Sequence, residues 1–200
     1  MIIRKATLED SECIATYLLL AMEDIVYKLI GGKDREEAKA FMLHFAGREN
    51  NQYSYENCWV AEDEKEVVAT VNLYDGAQLR ELRQPVIDHI RIRLKRKLEP
   101  EDETQAGEYY IDSLGVNPNQ QGKGIGSKML QFLIDEYVSK RSHTLGLLVD
   151  EENPNARRLY LKLGFKSAGR KVLLGKNMEH LQMHALGKKL IGKDGNQTHE

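Results

Sequence analysis

Three glycines alternate at Gly122, Gly124 and Gly126 within the run Leu114-Gly-Val-Asn-Pro-Asn-Gln-Gln-Gly-Lys-Gly-Ile-Gly-Ser127. A strand-like segment ends before them, Asn117-Pro118-Asn119 makes a turn, and a helical pattern begins after them. Glycines let successive backbone N–H groups point into one concavity without side chains in the way. The positive end of the following helix adds to that field, and Lys123 adds a full charge. The chemistry that uses such a loop is the binding of a phosphate or pyrophosphate. No Gly-Lys here is followed by Ser or Thr, and the glycine spacing is GxGxG rather than GxGxxG. Mononucleotide hydrolysis and dinucleotide binding are therefore not favoured. A glycine-rich strand-to-helix connection with no ligand is the alternative.

About thirty residues on stands Asn153-Pro-Asn-Ala-Arg-Arg-Leu-Tyr-Leu-Lys-Leu-Gly-Phe165. Asn153 reads as an N-cap, Pro154 as the first helical residue and Gly164 as the residue past the end. Ala156, Leu159, Tyr160 and Leu163 share the face to be buried.

Together, the two segments resemble the GNAT N-acetyltransferase family. Gln121-Gly122-Lys123-Gly124-Ile125-Gly126 is similar to its Q/R-x-x-G-x-G/A motif, and residues 153–165 are similar to its N-x-x-A-x-x-L-Y-x-x-x-G-F helix. Residues 111–116 look like the strand before the loop. The strong likeness covers roughly residues 109–166, and the two motifs in order and correctly spaced are far more specific than either alone. The resemblance implies an α/β (α+β) fold with a mixed, mostly antiparallel sheet of about 6–7 strands whose fourth and fifth strands splay apart. It also implies acetyl-CoA in that gap as cosubstrate. On that likeness the backbone of Leu114, Gly115 and Val116 meets the pantetheine arm. The amides of Gly122, Lys123, Gly124, Ile125, Gly126 and Ser127 hold the pyrophosphate, Gln121 supports the loop, and Asn153 and Tyr160 contact the cofactor.

Acetyl transfer from a thioester to an amine requires a neutral attacking amine, donors for the oxyanion and a proton for the departing thiolate. Tyr160 falls on the family's helix tyrosine and is the expected donor, since a phenol near pKa 10 can protonate a thiolate. The alternative is a core tyrosine packed on Leu163. Asp112, in the strand before the loop and on one face with Tyr110 and Leu114 by alternation, is the candidate base. It reads equally as a polar contact to the substrate amine. Glu108 is the reserve. Where some family members carry a glutamate in the fifth strand, this chain has Leu147 and Leu148. Glu23, Asp24 and Asp112 are available to a cationic amine. His180 and His184 are four apart but fall on a strand pattern, so no metal is expected. A non-catalytic acyl-CoA-binding regulatory domain is the rival reading, and a protein lysine or N-terminal acetyltransferase is a third.

Positioning these residues takes an alternation of strands and helices. Residues 2–7 read as a strand, 10–30 as an amphipathic helix closed by Gly31-Gly32, and a second helix follows Asp34. Residues 47–57 read as a polar loop. Residues 58–61 and 67–73 read as a hairpin. Residues 77–105 form an insertion whose stripe of Leu79, Leu82, Val86, Ile90, Leu94 and Leu98 is helical, with Pro85 expected to divide it. The stripe is expected to wall the acceptor site or to contact a second subunit. The basic run from Arg91 to Lys97 is followed at once by Glu99, Glu101, Asp102 and Glu103, and reads as a self-compensated solvated face. After the motif region come strands near 144–149, 165–168 and 181–186. One domain over 1–190 with a polar tail at 191–200 is expected.

The chain has 200 residues, 41% hydrophobic and 30% charged, ordinary for a soluble globular protein. Lys and Arg number 29 against 31 Asp and Glu, a net charge of −2, which argues against a general nucleic-acid binder. No apolar run approaches a membrane span and the start lacks a signal-peptide core. Cys13 and Cys58, widely spaced, fit a reducing cytoplasmic setting. The expected partners are acetyl-CoA and a small amine or peptide acceptor, with no nucleic acid, no membrane and a possible homodimer.

Overall fold

A computed structural model of the chain describes residues 1–185. The expected end of the last strand at Leu186 and the polar tail at 191–200 lie outside the described residues. The elements run β1 (Ile2–Lys5), α1 (Ser11–Ile30), α2 (Arg35–Ala46), β2 (Cys58–Asp63), β3 (Glu66–Asp75), α3 (Leu79–Arg93), β4 (Tyr109–Val116), α4 (Ile125–Leu133), β5 (Leu145–Asp150), α5 (Pro154–Leu163), β6 (Lys166–Leu173) and β7 (Lys176–Met183). α4 continues as a π-helix over Ile134–Ser139. No helix among the described residues is long and apolar enough to cross a membrane.

The local signals act as their chemistry dictates. Asp34 accepts from the amides of Glu36 and Glu37 and starts α2. Gly31 ends α1 with φ +81°, and its neighbour in space is the guanidinium of Arg96. That guanidinium donates to the last carbonyls of α1, Lys28 O at 3.0 Å and Leu29 O at 2.6 Å. The other members of the basic run stay exposed.

The strands form one seven-stranded sheet in the order β1-β2-β3-β4-β5-β7-β6. Every neighbouring pair is antiparallel except β4 and β5. The two faces carry separate cores. One packs α4 on Val71, Ile111, Leu145 and Leu147; the other packs α1, α2 and α3 on Cys58 and Val60.

α3 departs from the sequence reading. It runs through Pro85 without a break. Pro85 and Glu81 are both exposed, so water can serve the Glu81 carbonyl that loses its bond. The stripe is also not left over for a second subunit. Val86 and Ile90 are fully buried against α1 and α2, and Leu79 packs with Tyr74 and Tyr110. The insertion is thus part of the core, and it also walls the main cleft through Arg83, Val86 and Ile87.

Candidate active site

β4 and β5 pair at Tyr109–Leu145, Tyr110–Gly146 and Ile111–Leu147, and no further. Beyond that point β4 stays paired with β3 as far as Val116, and β5 with β7 as far as Asp150. The strands therefore diverge toward their C-terminal ends, as expected from the sequence. The last paired rungs are held by Glu108. Its buried carboxylate accepts from Thr104 Oγ1 at 2.7 Å and Gln182 Nε2 at 2.7 Å, and lies 2.9 Å from His180 Nε2. It reaches β7 across Gly146, where any Cβ would strike it. Burial pushes this carboxyl up, but the hydrogen bonds from His180, Thr104 and Gln182 outweigh that and hold it below its ordinary value. Glu108, the reserve base, is thus a fully engaged structural group away from the cleft, and His180 is its partner.

A cleft of about 570 Å³ opens where the strands part. Leu114, Asp150, Asn153 and Tyr160 line one end; Gln52, Tyr53, Arg83, Glu103 and Asp112 line the other, where Leu148 packs on Tyr74 and Tyr110. α1 borders it where the helix kinks at Met22, with φ −136° and ψ 32°.

At the first end, Asn153 caps α5, accepting from Ala156 N at 3.1 Å. The Tyr160 ring packs edge-on against Phe165, with centroids 6.0 Å apart. Its hydroxyl has no hydrogen-bond partner among the described residues, and burial raises its pKa, so it stays protonated. The Gly-rich loop lies outside the lining of this cleft, at the far end of β4. Gly122 has φ +80° and Gly124 φ +73°, and no atom lies within 4 Å of where either Cβ would be. Gly124 starts α4 without a side-chain cap. The first amide in the helical ladder is Lys128 N, bonded to Gly124 O at 3.0 Å, so the amides of Ile125, Gly126 and Ser127 precede it. Lys123 donates to Gln120 at 2.6 Å, and Gln121 is exposed. Gly115 abuts the Tyr17 backbone of α1, whereas Gly126 meets Leu114 and Val116 side chains at 3.7 Å.

That difference between Gly115 and its neighbours is the ordinary alternation of a strand, with its phase shifted by a bulge. β3 and β4 shift register between Asn72–Ser113 and Leu73–Ile111, leaving Asp112 as the extra residue. The simple alternation expected for Tyr110, Asp112 and Leu114 is broken there: Leu114 turns to the α4 side with Val116, while Asp112 stays at the other end of the cleft. The bulge leaves three buried oxygens without partners: Asn72 Oδ1, Asp112 Oδ2 and Ser113 Oγ.

The far end also holds residues that the sequence did not single out. Glu103 accepts from Gln52 Nε2 at 2.6 Å and Tyr74 OH at 3.1 Å, and pairs with Arg83 at very short range. Gln52 comes from the loop 47–57, which is far more buried than its polarity suggested: Asn51, Gln52, Tyr53 and Ser54 are all inside. Burial and the nearby charge of Glu103 push Asp112 up to about 8, with Arg83 opposing. Glu23 and Asp24 prove engaged, by Arg35 at 3.0 Å and Lys176 at 3.1 Å. Among the described residues, no group of three metal-ligating side chains occurs.

Comparison with known proteins agrees with this architecture. The profile described as "Acetyltransferase (GNAT) family" matches residues 26–165. A stretch of 75 residues is 35% identical to a probable spermine N(1)-acetyltransferase of Bacillus subtilis subsp. natto, covering 36% of this chain and 47% of that protein. Another of 62 residues is 37% identical to the N-alpha-acetyltransferase RimI of Mycobacterium tuberculosis, covering 31% of this chain and 37% of that one. The chain thus matches less than half the length of these curated relatives. Among solved structures, a protein described as an acetyltransferase superposes with a TM-score of 0.76 at 28% identity, over 92% of this chain and all of the other. The profile match over most of the chain, on a sheet that parts between its fourth and fifth strands, makes this protein a member of the GNAT acetyltransferase family.

Proposed function

We propose that the protein is an acetyl-CoA-dependent N-acetyltransferase working as one catalytic unit over residues 1–190. A single observation carries the reading: a protonated, unpartnered phenol and an unpartnered carboxylate oxygen share one cleft at the parting of β4 and β5. Acetyl-CoA lies with its pyrophosphate on the amides of residues 122–127 and its pantetheine against Leu114 to Val116, and supplies the thioester. Asn153 borders its path. Asp112 takes a proton from the acceptor's ammonium. The neutral amine attacks the thioester carbonyl, amides of the unpaired edge of β4 receive the oxyanion, and as the C–S bond breaks Tyr160 protonates the thiolate and recovers a proton from the nitrogen of the new amide.

The acceptor is a primary amine, free or on a peptide. Both cationic side chains lining the cleft are taken, Arg83 by Glu103 and Lys176 by Asp24 and Asp150. Among the described residues, that leaves the cleft no free cation for a carboxylate next to the reacting amine and disfavours free α-amino acids. The test is acetyl-CoA turnover on amines, amino acids and amino-terminal peptides, with free thiol and acetylated product both measured. Turnover on amines lacking a neighbouring carboxylate is expected. Tight acetyl-CoA binding with no turnover on any acceptor would replace the enzyme by a regulatory acyl-CoA-binding domain.

A further inference from the structure

We propose that Glu103, brought to the cleft by the segment after α3, is a positioning residue that makes Asp112 the group that takes the acceptor's proton. The inference rests on the reading of Asp112 as base. It adds a residue from the insertion, a segment outside the stretch of strong motif likeness.

The two carboxylates face unequal surroundings. Glu103 is 4% exposed, and the polar hydrogens in reach are aimed at it: Gln52 Nε2, Tyr74 OH and Arg83. These donors are themselves fixed. Gln52 N donates to Leu82 O at 2.8 Å, and its carbonyl takes Asn72 Nδ2 at 2.9 Å. Arg83 is further held by Pro100 O, Glu101 O and Asp102 Oδ1, each near 3.2 Å. Three donors from three segments thus converge on one carboxylate. Asp112 has an Oδ2 with no donor. The groups around it are phenols and a thiol: Tyr110 from β4, Tyr74 from β3, Tyr53 from the loop after α2 and Cys58 from β2. Burial raises all four, so they stay neutral. Two of the donors on Glu103, Gln52 and Tyr74, also lower Asp112, by less than burial and Glu103 raise it. Among the described residues, Arg83 is the cation that opposes this rise, and it is paired with Glu103 and Asp102. A second negative charge beside Glu103 is therefore costly, and Asp112 is the member that binds a proton.

The chemical gain is direct. R–NH3⁺ and Asp112 carboxylate become R–NH2 and Asp112 carboxylic acid, with no other reactant. Against an alkylammonium near 10.4, a carboxyl at its ordinary 3.8 loses the proton by roughly six powers of ten, whereas one at about 8 loses by roughly two.

Two measurements test this. In the unmutated protein, 13C NMR titration of the carboxyl carbons should find Asp112 titrating near 8; Asp112 ionising in the ordinary carboxylate range overturns the proposal. In kinetics at saturating acetyl-CoA, Glu103→Gln should move the acidic limb of kcat/KM to lower pH by about one unit or more and lower the plateau about tenfold, with KM for acetyl-CoA unchanged. Glu103→Asp, which keeps the charge, should keep the limb. A limb unmoved in Glu103→Gln but absent in Asp112→Asn defeats the positioning role and leaves the base in place. Full activity in Asp112→Asn removes the base, and the role of Glu103 with it.

Discussion

The two ends of the cleft are built by different means. The proposed cofactor end is local: the strand β4, one capped helix and, just beyond the cleft, the glycine loop, all within residues 109–166. That loop offers backbone amides whose direction is set by φ values only glycine adopts cheaply, +80° at Gly122 and +73° at Gly124. The acceptor end is assembled from Gln52, Arg83, Glu103 and Asp112, four segments far apart in the chain, and works through buried side chains. A ligand shared by a whole family can be held by a short stretch of main chain. A feature particular to one member is written in side chains that meet only after folding.

The largest expected effect breaks the first end without touching the second. Gly124→Asp places a carboxylate against a pyrophosphate and forces a side chain to φ +73°. Acetyl-CoA binding by calorimetry should weaken by at least about 100-fold, while an amine inhibitor still binds. Unchanged cofactor affinity would move the phosphate site elsewhere. Tyr160 lines the same end of the cleft. Tyr160→Phe should lower kcat about 100-fold and leave the Kd for acetyl-CoA nearly unchanged. Wild-type turnover would return this ring to the core with Phe165. The smallest effect lies at the acceptor end and runs the other way. Asp112 has its carboxyl near 3.8 when unfolded and about 8 when folded, so between those values the folded chain binds the extra proton and stability falls as pH rises. Asp112→Asn removes that penalty. The variant should be more stable than wild type at pH 9 by about 1 kcal/mol or more, with the gap closing toward pH 4, in thermal unfolding followed by circular dichroism. Equal stability at pH 9 would show that Asp112 is not strained by ionisation.

The element order was legible in the sequence because periodicity records it, and the parting of the fourth and fifth strands followed from the resemblance carried by two contiguous motifs. The acceptor end was only half legible. Asp112 was visible as an acid in a strand, but the bulge that isolates it is one extra residue with no signature in its own sequence. Glu103 was hidden in plain charge balance: the acidic run after Arg91–Lys97 looks like surface compensation, and only folding turns Glu103 inward onto Arg83, twenty residues away. Gln52 sat in a loop whose polarity implied solvent. There the polar groups are buried because they satisfy one another, as Asn51 does with Phe45 O and Arg48 O. Glu108 misled in the opposite sense: an acid at the right spacing, spent on His180 and Gln182.

The parting of β4 and β5 also bears on self-association. A sheet ordinarily exposes hydrogen-bonding edges only at its outer strands, where they invite other chains. Here Asp112–Val116 and Leu148–Asp150 form a second pair of free edges in the middle of the sheet, facing each other. They can accept an extended chain bearing amide groups. A pairing strand stands its side chains perpendicular to the sheet, so a protein segment entering there would drive them into the helices on either face, α1 where Tyr17 abuts Gly115 and α4 on the other side. The helices that cover the sheet thus shield its interior edges from other chains.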